Sequence, residues 1–195
     1  MVSRETSRAS AEPLVFDGMR AIIVVGLGVG AVLGFGGNFF EPGNAQNVLY
    51  GLSALGLILA SVLLAVQHAS VGNRLAAAGF ALLALGEARL LNPTDVPGGE
   101  ASFAAGVLIY APGLLMIALS SWAPRWIRLV GAIAAIPFAA HSLIYLSGGA
   151  IDSKDPLAGI GYTLFTVAVI GWMITVLRSE KAAPARNPRE LLGTR

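Results

Sequence analysis

Glu87 and His141 are the two residues whose types and positions could support chemistry inside an apolar environment. Glu87 is the only acidic residue within a long apolar block, and it lies thirteen residues after Arg74. His141 lies thirteen residues after Arg128. At 1.5 Å per helical residue, each side chain is about 20 Å beyond its arginine, so both are expected at one depth. A carboxyl group and an imidazole at one depth could form a proton relay, a cation site or part of a metal site.

Four further polar side chains extend this candidate ligand or proton site: Tyr110, Tyr145 and Tyr162, which are expected at similar depth, and Arg89, which is expected near the outer interface. The three tyrosines, together with Glu87 and His141, would line a cavity that opens towards the outer face of the membrane. The simpler interpretation is structural, with Glu87 beside Arg89, His141 donating to a backbone carbonyl, and the tyrosines at the interface. The sequence leaves both interpretations open.

The elements that must position these residues are six apolar blocks of about 20 residues each. Of the 195 residues, 55% are hydrophobic and only 12% are charged, whereas soluble domains carry about 25% charged residues. The pattern predicts an all-α polytopic membrane protein, with a six-helix transmembrane domain over 18–177 and disordered tails at 1–17 and 178–195. The predicted spans are 19–35, 48–66, 74–91, 102–121, 127–146 and 157–177.

The distribution of basic residues predicts the orientation of the chain. With the N-terminus inside, eleven of the thirteen lysines and arginines fall on the inner side, and only Arg89 and Lys154 fall outside. Both termini are therefore predicted to be cytoplasmic. The alanine- and glycine-rich composition without cysteine suggests a bacterial plasma membrane. Because the basic residues lie near the ends of apolar blocks, membrane lipids rather than nucleic acid are the predicted partners.

Three glycines spaced by four residues, Gly26, Gly30 and Gly34, lie on one face of the first span. Such a face lets another helix backbone approach closely. The sequence does not distinguish between a helix of the same chain and a second copy, so a homo-oligomer through these glycines is one of the two expectations.

No motif in the chain indicates a reaction. Without cysteine, GxSxG, HExxH or a phosphate-binding loop, we predict no catalytic residue, no metal and no cofactor. Three classes of function remain. The preferred one is a non-enzymatic accessory protein that binds lipid or a partner. The second is a small transporter or channel-like protein with a protonatable Glu87–His141 site, and the third is an intramembrane enzyme acting on a lipid-soluble substrate.

Overall fold

The computed structural model describes residues 12–41, 43–91, 99–149 and 156–181, and these ranges contain helices but no strand. A short 3₁₀ turn, Gly37–Phe39, follows the first helix. The α-helices are α1 (Glu12–Gly36), α2 (Asn44–Ser70), α3 (Arg74–Leu90), α4 (Gly99–Leu119), α5 (Arg125–Leu146) and α6 (Pro156–Lys181).

Five of these six helices are long and apolar enough to cross a membrane, judged by length and composition. The exception is α3, which has 17 residues and is therefore about 25 Å long. The predicted all-helical fold is confirmed, and the five apolar helices support a membrane protein.

Several helices extend beyond the apolar blocks that predicted them. Helix α1 begins at Glu12, inside the predicted tail, and α2 includes polar residues at both ends. Hydropathy measures which residues suit lipid, whereas a helix continues until its backbone is redirected. After α2 this happens at Gly72, which has a φ of +77°, and at Asn73, whose side chain accepts from the Ala76 amide at 3.3 Å. Residues 1–11 and 182–195 of the predicted tails lie outside the described residues.

The helices pack in chain order, each against the next, and α6 returns to pack against α1. Aromatic rings fill the centre of this closed arrangement. Phe80 of α3 lies 5.2 Å from Trp172 of α6, measured between ring centroids, and Tyr110 of α4 lies 5.2 Å from Phe165 of α6. These rings join helices on opposite sides, so the described core is solid rather than hollow.

The glycine face of α1 lies against α2 of the same chain. A Cβ atom at Gly26 would lie 2.7 Å from the Gly56 carbonyl oxygen, and one at Gly34 would lie 2.7 Å from the Ser53 hydroxyl. Ser53 also donates a hydrogen bond of 2.7 Å to the Gly30 carbonyl. Close backbone approach is thus combined with an interhelical hydrogen bond.

Helices α3 and α4 approach each other through a second set of glycines. A Cβ atom at Gly79 would lie 2.7 Å from the Gly113 carbonyl oxygen, and one at Gly86 would lie 3.1 Å from the Gly106 carbonyl oxygen. The two contacts are seven residues apart on each helix, or two turns, so they lie on one face. They bring the short α3 close against α4.

We expect Gly79→Ala to destabilise the protein, because its new methyl group would meet the backbone of α4 and overpack the contact. The expected loss in free energy of unfolding is about 1–3 kcal/mol. The matched control is Gly131→Ala in α5, where a Cβ atom meets nothing within 4 Å. That variant should be neutral or slightly more stable, since alanine favours helix over glycine. Thermal unfolding in detergent, followed by circular dichroism, measures both, and equal effects of the two substitutions would contradict the α3–α4 contact.

Candidate functional site

Glu87 faces the interior because α3 buries one face along its length. Phe80 and Leu83 precede Glu87 by seven and four residues, so all three side chains lie on the same side of the helix. Glu87 is only 5% exposed. A bare carboxylate removed from water costs several kcal/mol. This group therefore requires a proton, a cation or hydrogen-bond donors.

Two tyrosines provide the nearest polar surroundings of this carboxyl group. The hydroxyl of Tyr110 lies beside Glu87. Tyr162 of α6 is close enough to Glu87 to interact with it electrostatically. Tyr110 is 0% exposed, and the geometry of its contact with Glu87 falls short of a hydrogen bond, so its hydroxyl has no partner in the described structure. Glu87, Tyr110 and Tyr162 thus form a small polar group inside an apolar core.

Aromatic rings enclose this group on the side of α5 and α6. The ring of Phe138 lies 5.2 Å from that of Tyr110 and 5.1 Å from that of Tyr162. Phe165 lies 5.2 Å from Tyr110. These rings occupy the region in which the sequence predicted an open cavity, and they separate the carboxyl group from solvent.

His141 lies in an adjoining part of the core. It is 2% exposed and packs edge-on against Phe103, with ring centroids 5.5 Å apart. Phe103 in turn lies 6.5 Å from Tyr162. His141 is therefore connected to the Glu87 group through one intervening ring, that of Phe103. The structure places Tyr110 directly beside Glu87, a contact that the sequence did not predict.

Arg89 and Tyr145 lie at the edge of the site. The side chain of Arg89 is exposed, while its carbonyl oxygen accepts a 2.8 Å hydrogen bond from Ser102 of α4. The polar neighbour of Glu87 is Tyr110 rather than Arg89, as expected for positions two residues apart on a helix. Tyr145 is half-buried and packs against the edge of the core.

Sequence reasoning missed the residue that makes room for Tyr110. A Cβ atom at Gly86 would lie 2.8 Å from Cδ1 of the Tyr110 ring. The absence of a side chain at Gly86 therefore lets the Tyr110 ring pack against α3, next to Glu87. The seven-residue spacing of Gly79 and Gly86 was the available signal for this contact.

A second buried histidine, His68, lies in the last turn of α2. It is 8% exposed and stacks on Phe80 with ring centroids 5.7 Å apart. Its ring also lies 4.8 Å from that of Trp122, and neither His68 Nε2 nor Trp122 Nε1 has a hydrogen-bond partner in the described structure. This aromatic cluster lies where α2 ends and α4 leads into α5.

The chemistry open to the Glu87 group is limited by its composition. One carboxyl group and two phenols can hold a proton or satisfy one another by hydrogen bonding. Within the described ranges, no group of three or more histidine, aspartate or glutamate side chains is placed to hold a metal ion. A proton site and a purely structural polar contact are therefore the two chemical roles that this arrangement supports.

Two substitutions at Tyr110 separate the role of its ring from that of its hydroxyl. Tyr110→Phe removes an unpartnered group, so we expect the free energy of unfolding to change by less than about 1 kcal/mol. Tyr110→Ala should lower it by about 3–5 kcal/mol, because it leaves a cavity beside Glu87. Denaturant or thermal unfolding in detergent measures both. A large loss in Tyr110→Phe would show instead that the hydroxyl donates to Glu87.

Models of protein families, curated proteins and solved structures were compared with the chain, and none matches it. The contacts, burial and charge of the molecule are therefore what bears on its function.

Proposed function

We propose that this chain is a six-span membrane protein that acts by binding lipid or a partner in the membrane, without catalysing a reaction. The observation that carries the proposal is the filled centre of the helix bundle. Phe80, Tyr110, Leu114 and Phe138 are at most 1% exposed. Because side chains occupy the space through which a solute would pass or bind, interaction with other molecules is left to the outer surface.

The proposal includes α3 as the sixth span, although it is the shortest helix. Spanning helices begin at about 17 residues, which is the length of α3. Arg74 and Arg89 lie at its two ends, where long basic side chains can extend towards the headgroups. An even number of spans places both termini on one side, and the excess of basic residues favours the cytoplasmic side for them.

A second candidate is a proton-coupled transporter that uses Glu87. The specific observation in its favour is the carboxyl group buried beside the unpartnered Tyr110 hydroxyl. Ionisable residues within membrane spans are often part of proton or ion pathways. This candidate requires the aromatic rings around Glu87 to move apart during transport.

The proposed orientation predicts which positions react from outside the cell. The chain has no cysteine, so single cysteines can be introduced without removing others. Ser70, Ser121 and Ser147 are exposed at helix ends. We expect a membrane-impermeant maleimide to label Ser147→Cys in intact cells, and to label Ser70→Cys and Ser121→Cys only after permeabilisation. Labelling of all three in detergent is the control, and the reverse pattern in cells would invert the orientation.

The binding proposal predicts no proton flux and a retained lipid. In liposomes containing an impermeant pH dye, wild-type protein and Glu87→Gln should both dissipate a pH gradient no faster than protein-free liposomes. Native mass spectra of the two purified proteins should show the same bound phospholipid, because Glu87 is sealed from the surface. Flux that is present in the wild type and lost in Glu87→Gln would support the transporter instead.

A further inference from the structure

An open groove of about 420 Å³ lies at the end of the bundle where α4 leads into α5 and where α6 ends. Its lining combines aromatic, hydroxyl and basic groups, and includes Trp122, Pro124, Trp126, Thr175 and Arg178. Trp126 is 52% exposed, although an indole ring usually packs against apolar groups or lies at the membrane interface. The groove contains no acidic side chain among its lining residues.

Two features of this groove favour an anion. Arg178 contributes a guanidinium group, which suits phosphate oxygens. Helix α5 begins beside the groove after Pro124, which provides no side-chain cap for the first-turn amides. The uncapped start of a helix carries partial positive charge.

The residues around the groove also carry positive charge. Arg74 begins α3, and Arg125 and Arg128 lie in the first turn of α5, at helix ends that face this side of the bundle because the chain direction alternates. Arg20 lies in the half of α1 on the same side. At the opposite end, Arg89 is the basic residue that the structure describes. An anionic molecule at the membrane surface would therefore be attracted to the end that contains the groove.

Apolar side chains extend from the groove along the two neighbouring helices. Ile133 lies seven residues after Trp126 on α5, and Ile170 lies four residues before Ile174 on α6, so each continues a face that lines the groove. Both are exposed. A molecule with a charged head and apolar chains matches this arrangement.

We propose that this groove binds the phosphate-containing headgroup of an anionic phospholipid, with the acyl chains lying along α5 and α6. Arg178 binds the phosphate, and Trp126 packs against the glycerol region. The inference rests on the proposed binding function and deepens it by naming the ligand class and the site.

Quenching of tryptophan fluorescence by brominated phospholipids tests this site, since two of the three tryptophans line the groove. The full-length protein is reconstituted in vesicles containing brominated phosphatidylglycerol or brominated phosphatidylcholine at equal fractions. We expect stronger quenching by the anionic lipid in the wild type. In Arg178→Gln the relative affinity for anionic lipid should fall about fivefold, as expected for loss of one basic group at the membrane surface.

The matched control is Arg74→Gln, which removes an exposed arginine at the same end without touching the groove and should therefore lower the preference clearly less than Arg178→Gln. If Arg178→Gln is not monodisperse and helical, Thr175→Leu replaces it, because a larger side chain blocks the groove without changing charge. Excess inorganic phosphate should not reverse the quenching, and reversal would indicate a site for free phosphate instead.

Equal quenching by both lipids in the wild type, or an unchanged preference in Arg178→Gln, would overturn the inference. The binding function would still stand in that case if native mass spectra retained phospholipid without class preference. Glu87-dependent proton flux would contradict the binding function itself, whatever the quenching shows. The two failures are therefore distinguished by separate measurements.

Discussion

Close backbone approach at glycine determines where the other groups of this bundle lie. Helices in lipid gain little from burying apolar surface against one another, so they associate through close packing and interhelical hydrogen bonds. The contacts of Gly79 with Gly113 and of Gly86 with Gly106 bring the backbones of α3 and α4 together. The same contacts place Tyr110 beside α3, so the neighbourhood of Glu87 is a consequence of helix packing.

The aromatic core follows from this packing. With α3 and α4 close together, rings from α5 and α6 fill the remaining space, and ring contacts continue from His68, through Phe80, Trp172 and Phe165, to the Tyr110 group. Rings are large and stiff, so they exclude water over the length of the bundle. The single buried carboxyl group in the described core, that of Glu87, lies near the two phenols of Tyr110 and Tyr162.

Hydropathy was sufficient to predict the all-helical fold and its five long apolar helices, since lipid requires every backbone polar group to be satisfied within a helix. Counting the helical rise from Arg74 and from Arg128 placed Glu87 and His141 at one depth in the membrane. Depth, however, does not specify how each helix is rotated about its axis. Rotation is set by contacts such as Gly86 with Tyr110, which involve residues 24 positions apart in the chain. A single sequence contains no direct signal for such pairs, and the seven-residue glycine spacing indicates a packing face without naming its partner.

Charge and packing together make the two ends of the bundle different. Arg128 has a role within the fold, because its Nε donates a 2.6 Å hydrogen bond to the Ala118 carbonyl near the end of α4. Arg178 has no such role among the described hydrogen bonds, and it lies on an open groove beside exposed Trp126. An arginine that donates to a neighbouring helix end is explained by the fold alone, whereas one that lines an open groove is available to a ligand. This contrast between two basic residues at one end is the reason to place lipid recognition at the α4–α5 turn rather than around Glu87.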